Sequence, residues 1–230
     1  MMNGLQVKGM VLNLLLDETE RDKQYKVGAS QIANPCDKHL AKALAGHKDS
    51  PSKYWLGAKL GTATHLLLED AVKKSDLPEL EGVRIEEKII LGELEGYGTI
   101  KSTPDLAVVK HNHLIDWKTS KRDKSKKLQN LIAGKEDAEA YYTLSKYIGQ
   151  TQLYAWGLNQ MGITIDGISL VFINRDGTNE GDIWEHTFPY DESIALGLWG
   201  RLQWLWEELQ DGNHPDNFIG DPHCFNCATA

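Results

Sequence analysis

The sequence predicts an α/β fold, in which helices flank a central mixed β-sheet. Between residues 84 and 117, short apolar runs alternate with polar turns, which is typical of strands. Longer stretches on either side repeat their apolar residues at helical spacing. With 230 residues, of which 41% are hydrophobic, the chain can bury one sizeable core. We therefore expect a single domain covering residues 1–230.

That domain has three parts: a helical N-terminal part (1–75), a core with the sheet (84–190), and a C-terminal helix with a cysteine-containing tail (191–230). Strands are predicted near residues 84–91, 97–101, 105–109, 113–117, 167–174 and 182–188. Helices are predicted near residues 145–161 and 191–210. The last helix carries Trp199, Trp204 and Trp206, which either pack in the core or stack on bases.

A further helix is expected in the N-terminal part, with an apolar stripe formed by Leu56, Leu60, Leu67 and Ala71. Gly61, His65 and Glu69 follow one another at four-residue intervals and so share another face of that helix. On this reading Glu69 is either a hydrogen-bond partner of His65 or a solvated residue. Met10–Leu16 is expected to form an amphipathic helix rather than a signal peptide.

The hairpin between residues 104 and 118 is the most informative segment. Asp105 follows a proline, Asp116 comes eleven residues later, and Lys118 follows two residues after that. If the turn is centred just after Lys110, antiparallel pairing sets the two aspartates opposite each other, with their Cβ atoms roughly 5 Å apart. Lys118 then lies on the same side of the strand as Asp116.

Two carboxylates this close repel each other unless a cation lies between them, and oxygen ligands favour Mg²⁺ or Mn²⁺. The alternative is a surface hairpin with a solvated salt bridge between Asp116 and Lys118. Glu86-Glu87-Lys88 is a second acid-x-lysine match, but it follows no Pro-Asp pair and does not end an apolar strand. Context therefore favours Asp116 and Lys118.

Other short motifs accompany the hairpin in a fixed order: Ser30-x-Ile32 with Cys36, Gly61-x-x-x-His65, Pro104-Asp105, Asp116-x-Lys118 and Gln150-x-x-x-Tyr154. Over roughly residues 29–227, this set resembles the RecB-like branch of the PD-(D/E)XK nuclease superfamily. CRISPR-associated RecB-like nucleases and phage recombination exonucleases belong to that branch. The resemblance implies a restriction-endonuclease-like core and a metal-dependent DNA exonuclease of phage or bacterial recombination and repair.

The resemblance also assigns roles to residues. The catalytic residues would be Asp105, Asp116, Lys118 and His65, with Lys118 orienting the attacking water, acting as its base, or stabilising developing charge. Mg²⁺ or Mn²⁺ would be held by Asp105, Asp116, the backbone carbonyl of Trp117, His65 and, more weakly, Glu87. The alternative for His65 is a packed or exposed histidine of the helix.

DNA contacts are expected at two places. By resemblance, Gln150 and Tyr154 contact the nucleic-acid backbone or brace the site. Residues 118–127 hold six basic side chains against one acid, so Lys121, Arg122 and Lys124 are expected to grip phosphates from a loop, the alternative being a solvated loop. The net charge of −8 argues against nonspecific coating of nucleic acid but permits such a local grip.

Three cysteines, Cys36, Cys224 and Cys227, form the last group. In the RecB-like families, four cysteines hold a [4Fe–4S] cluster, whereas this sequence has three. Either His39 or His223 supplies a fourth ligand, with zinc as the candidate ion, or the cluster is degenerate and the thiols are free. A disulfide is disfavoured in a reducing cytosol.

The expected partner is DNA, with a recombination protein and homo-oligomerisation left open. No apolar run approaches the length of a membrane span, so a cytoplasmic location in a bacterial or phage-infected cell is expected. Two alternative functions remain: a CRISPR-adaptation nuclease that trims DNA with a partner, and a noncatalytic DNA-binding module of the same fold. The intact Asp105, Asp116 and Lys118 argue against the second.

Overall fold

The computed structural model describes residues 27–47 and 55–228. The helix predicted for Met10–Leu16 lies outside these residues. Within the described ranges, no helix combines the length and the apolar character that crossing a membrane requires.

The N-terminal part contains helices α1 (Ala29–Ile32), α2 (Asp37–Leu44) and α3 (Trp55–Lys73). The strands that follow are β1 (Arg84–Ile85), β2 (Ile89–Leu94), β3 (Gly98–Ser102), β4 (Leu106–Val108) and β5 (His113–Ser120). After them come α4 (Arg122–Ile132), α5 (Ala138–Gln160), β6 (Gly167–Asn174), β7 (Ile183–Pro189), α6 (Glu192–Gln210) and α7 (Phe225–Ala228).

Five strands form the central sheet in the order β1-β4-β5-β6-β7. Strands β5 and β6 are parallel, and the chain between them crosses over through α4 and α5, whereas the other pairs are antiparallel. Strands β2 and β3 form a separate two-stranded sheet. The predicted α/β fold with a central mixed sheet is confirmed.

Helices cover both faces of the sheet. The main core gathers Leu114 and Ile168 of the sheet with Leu153 and Leu158 of α5. A smaller cluster joins Trp117 of β5 to partly buried residues of α3, including Leu68. The stripe expected to bury α3 is wrong, because Leu56, Leu60 and Leu67 are exposed and the face with Leu68 and Val72 packs instead.

The strand predicted for residues 84–91 is interrupted. Glu86 has a positive φ of 49°, a left-handed conformation that ends β1 and turns the chain before β2 begins at Ile89. β1 therefore pairs with β4 in the central sheet, while β2 pairs with β3. This break determines which glutamate faces the hairpin.

The basic run is helical, so the loop predicted for it is wrong. Arg122 begins α4 and forms a bidentate ion pair with the buried Asp182. Its Nε donates to Asp182 Oδ1 at 2.8 Å, and its Nη2 donates to Oδ2 at 2.7 Å. Asp182 also accepts a hydrogen bond from the Thr178 backbone at 2.8 Å. The Arg122 guanidinium is the first cause that holds the pKa of Asp182 well below its ordinary range. The pair ties the start of α4 to the β6–β7 connection.

Helix α5 begins seven residues earlier than the predicted start at 145. Asp137 caps it by accepting a hydrogen bond from the Ala140 backbone at 2.9 Å. In α6, Trp199 and Trp206 pack against the core, which agrees with the core-packing alternative and not with stacking on bases. Trp206 also donates to the Glu95 carbonyl at 2.7 Å.

Candidate active site

The hairpin of β4 and β5 has the register that the sequence predicts. Leu106 lies opposite Ile115, and Val108 lies opposite His113. One step further along the same register, Asp105 comes opposite Asp116. Both aspartates are buried, at 6% and 2% exposure.

Two hydrogen bonds fix the carboxylate of Asp105. Its Oδ2 accepts from the Trp117 backbone N–H at 2.8 Å, and its Oδ1 lies 3.0 Å from His65 Nδ1. The first bond spans the hairpin and the second comes from α3. Asp105 is therefore oriented by two separate elements of the fold.

Close approach of α3 to the sheet brings His65 to this position. A Cβ atom at Gly61 would lie 3.0 Å from Thr119 Oγ1 of β5, tighter than most such contacts. One turn earlier, the Gly57 carbonyl accepts a hydrogen bond from Arg175 at 2.6 Å. Glu69 does not reach the aspartates but pairs with Lys73 at 2.5 Å. The Gly-x-x-x-His spacing thus has a packing reason. The Glu69 side chain is 18% exposed and ion-paired with Lys73, so it is neither the expected partner of His65 nor a solvated residue.

A third acid joins the cluster, and it is Glu86 rather than Glu87. Ligand atoms of His65, Glu86 and Asp105 all lie within 4.8 Å of one another. Glu86 also donates its backbone N–H to the Asp105 carbonyl at 3.1 Å. Glu87 instead lies 3.6 Å from Arg84. Because the backbone at Glu86 is left-handed, the side chain of Glu86 lies beside Asp105 and that of Glu87 does not. The alternation of side chains along a strand does not predict this from the sequence.

Lys118 lies between Asp116 and helix α5. Its Nζ forms an ion pair with the buried Oδ2 of Asp116 at 2.6 Å and donates to Gln150 Oε1 at 3.1 Å. The ring of Tyr147, a residue the sequence analysis did not single out, lies 4.9 Å from the same Nζ. Three groups therefore hold the ammonium in place.

Gln150 and Tyr154 belong to this support. Gln150 Nε2 donates to Tyr154 Oη at 2.6 Å, and both side chains are buried. Burial favours the bracing role for this pair over direct contact with DNA.

Burial and charge act in opposite directions on the titrating groups. Burial raises the pKa of Asp116 to about 6, although Lys118 lowers it. Burial also lowers the pKa of Lys118, but Asp116 and Asp105 outweigh it and the pKa stays above the ordinary lysine value. The pKa of His65 is raised in the same way, because Asp105 outweighs burial. Lys118 is therefore an ammonium group in this arrangement.

The donor set fits a hard divalent cation. Asp105 and Glu86 supply carboxylate oxygens, and His65 supplies an imidazole nitrogen. Asp116 Oδ2 is buried and, within the described part of the chain, accepts no directed hydrogen bond apart from its ion pair with Lys118. A buried carboxylate oxygen that accepts no directed hydrogen bond is stabilised when a metal ion coordinates it.

The predicted phosphate-gripping residues divide into two groups. Lys121 and Lys124 are exposed at the start of α4, whereas Arg122 pairs with Asp182. Lys127 of the same helix pairs with Glu139 at 2.7 Å. The cysteines lie elsewhere and converge, since the sulfur atoms of Cys36, Cys224 and Cys227 lie within 4.8 Å of one another.

Comparison with known proteins identifies solved structures with a similar fold. No family model matches this chain, and no curated protein matches it. Among solved structures, an alkaline exonuclease from Laribacter hongkongensis is similar at 14% identity and a TM-score of 0.53, over 83% of this chain and 91% of that one. A putative exonuclease from Eubacterium rectale is 11% identical with a TM-score of 0.48, over 93% of each chain.

The phage-related exonuclease from Haemophilus somnus 129PT is 14% identical, with a TM-score of 0.49, over 81% of this chain and 95% of that one. The mixed five-stranded sheet and the likeness to the alkaline exonuclease define a restriction-endonuclease-like fold.

We expect the Glu86→Gly variant to be at least as stable as the wild type. A left-handed conformation costs a residue with a Cβ about 1–2 kcal/mol, and glycine avoids that cost while also removing a charge beside Asp105. Urea unfolding without divalent metal measures the difference. Glu87→Gly is the matched control and should lower stability. Clear destabilisation by Glu86→Gly would show that the glutamate is not strained.

Proposed function

We propose that this protein is a divalent-metal-dependent deoxyribonuclease that hydrolyses phosphodiester bonds at DNA ends. The observation that carries the proposal is the grouping of buried Asp105 with Glu86 and His65, across the hairpin from Asp116 and Lys118. Acids this close are stable together when a cation shares them. The preference for ends draws support from the likeness to an alkaline exonuclease.

In this proposal Asp105, Asp116 and Glu86 hold Mg²⁺ or Mn²⁺, with His65 and the Trp117 carbonyl as further ligands. Glu86 replaces Glu87 in this set, because its side chain is the one grouped with Asp105 and His65. When bound there, the cation supplies Lewis-acid polarisation of the phosphodiester and lowers the pKa of a coordinated water.

Lys118 acts on charge and orientation in this mechanism. Because Asp116 and Asp105 raise its pKa, the side chain donates protons in hydrogen bonds rather than accepting one. An ammonium group held by Asp116 and Gln150 can orient the attacking water and stabilise charge on the phosphate. A cation bound by the same aspartates would offset the negative charge that raises this pKa, so the proposal keeps all three roles considered for Lys118.

The proposed DNA contacts lie at the start of α4. Lys121 and Lys124 are exposed and follow β5 directly, so they can reach phosphates near the hairpin. Arg122 holds the fold together through Asp182 instead. Gln150 and Tyr154 support Lys118 from the buried side.

The direct test is digestion of end-labelled linear DNA and circular DNA with Mg²⁺, Mn²⁺ or EDTA. We expect the wild type to degrade linear DNA only with metal, and Asp105→Asn to match the EDTA level because it removes a ligand charge. Lys118→Met should lower kcat roughly 10²- to 10³-fold while keeping Mn²⁺ binding, as expected when a group acts on developing charge.

A matched pair of glutamates sharpens this test. Glu86→Gln should reduce cleavage strongly, whereas Glu87→Gln should not. Wild-type cleavage by Asp105→Asn would place the chemistry elsewhere, and equal digestion of circular DNA would reject the preference for ends.

A second pair of variants separates structural from DNA-binding basic residues. Lys124→Ala should lower the slope of log binding constant against log salt by about 0.7 to 0.9, without changing Tm. Arg122→Ala should lower Tm instead, because Asp182 would stay buried without its partner. Fluorescence anisotropy with labelled DNA and thermal unfolding measure the two effects. An unchanged slope for Lys124→Ala would leave that lysine a solvated side chain.

A further inference from the structure

The cysteine group lies apart from the acidic hairpin and joins distant parts of the chain. Cys36 is the residue immediately before α2, Cys224 directly precedes α7, and Cys227 lies within α7. Cys36 Sγ and Cys227 Sγ are 3.6 Å apart, although 191 residues separate them. All three residues are free thiols, and Cys36 and Cys224 are buried.

The pKa shifts of the three thiols differ in direction. The Asp221 backbone N–H donates to Cys36 Sγ at 3.3 Å. Contacts with Cys36 and with the side chains of His39 and Tyr142 lower the pKa of Cys224, whereas the contact with Cys224 raises the pKa of Cys36 and burial raises that of Cys227. Without a metal, only the thiolate of Cys224 is therefore favoured, and a bound cation would stabilise the other two thiols in the deprotonated form in which cysteine binds metals.

The spacing of the sulfur atoms discriminates between metal groups. Four ligands about 2.3 Å from one tetrahedral ion lie roughly 3.8 Å from each other. A [4Fe–4S] cluster binds each cysteine to a different iron and therefore spreads the sulfur atoms further apart. The observed separations, 3.6 Å for one pair and at most 4.8 Å for all, fit a single ion and do not fit the cluster.

His39 lies beside Cys224, although its ring nitrogens are not among the ligand atoms that all lie within 4.8 Å of one another. His39 follows Cys36 with two residues between them, the same spacing that separates Cys224 from Cys227. Paired ligands at this spacing are typical of structural zinc sites. The His39 side chain is 8% exposed and reaches Cys224, while Asn226 lies 3.4 Å from its Nδ1 and can hold the ring.

His223 is the less suitable candidate. It is exposed, and its ring leans against Tyr142 with 6.3 Å between the ring centroids. We propose that Cys36, His39, Cys224 and Cys227 form a structural site for one Zn²⁺ ion, in place of an iron–sulfur cluster.

Such a site would hold the C-terminal tail against α2. The same contact surface includes a backbone hydrogen bond from Lys38 to Ile219 at 3.1 Å and an ion pair of Lys42 with Asp216 at 2.9 Å. Because the ligands are far apart in the unfolded chain, free energy of zinc binding contributes to folding. The site would stabilise the protein without entering the chemistry at Asp105.

The first test is metal analysis of the full chain, purified anaerobically from cells grown with both iron and zinc. We expect about one zinc per chain, without iron or acid-labile sulfide. Iron with sulfide would overturn the proposal in favour of a cluster, and absence of both metals would overturn it altogether.

The second test assigns the fourth ligand through Co²⁺, which reports tetrahedral thiolate coordination by its visible absorption bands and its sulfur-to-metal charge transfer. Wild-type protein and His223→Ala should give the same spectrum. His39→Ala should alter the spectrum and weaken Co²⁺ binding. Loss of a residue that only supports a ligand lowers metal affinity roughly 10- to 100-fold, so loss of the ligand itself should lower it at least as much. Cys227→Ser should lose charge-transfer intensity.

Folding of each variant is checked by circular dichroism, and the half-exposed Cys227 gives a milder variant than the buried Cys36. A wild-type spectrum from His39→Ala, or a changed one from His223→Ala, would overturn the assignment of His39.

Discussion

Burial of like charges is the constraint on which the rest of this structure depends. Asp105 and Asp116 are nearly inaccessible to solvent and lie across one hairpin, with Glu86 beside the first of them. Such a group is costly unless each oxygen has a partner. The Trp117 N–H and His65 serve Asp105, and Lys118 serves Asp116. The arrangement remains rich in negative charge, which is the property that a divalent cation requires.

Several distant elements are needed to maintain this group. The glycines of α3 let a helix lie close enough for His65 to reach Asp105. On the other side, Gln150 of α5 fixes Lys118 and is itself held by Tyr154. The ion pair of Arg122 with Asp182 holds the start of α4 immediately after the strand that carries Lys118. Loss of any one support would leave the charges in place but their geometry relaxed.

Local pattern was sufficient to predict the hairpin. The register of Asp105 against Asp116 follows from the lengths of two apolar runs and one turn, and β6 occupies the predicted residues 167–174. The participation of Glu86 was not predictable in this way, because a left-handed residue between two strands leaves no trace in the alternation of apolar residues. The role of Arg122 was also not predictable from the sequence, because its partner Asp182 is 60 residues away.

Helix α5 connects the acidic hairpin with the cysteine group. Tyr142, near its start, donates its hydroxyl proton to Asn34 Oδ1 and lies beside Cys224, and Gln150 follows about two turns later, or roughly 12 Å along the axis. An ion bound by the thiols would therefore help to fix the helix that supports Lys118. The two groups need not share chemistry for one to stabilise the position of the other.

The central claim is that the hairpin acids bind a divalent cation. Anomalous diffraction from crystals soaked in Mn²⁺ tests it most directly, because manganese is located independently of any activity. We expect a peak bounded by Asp105, Glu86 and Asp116, and its loss in crystals of Asp105→Asn. Manganese bound elsewhere, with no peak at these carboxylates, would contradict the claim.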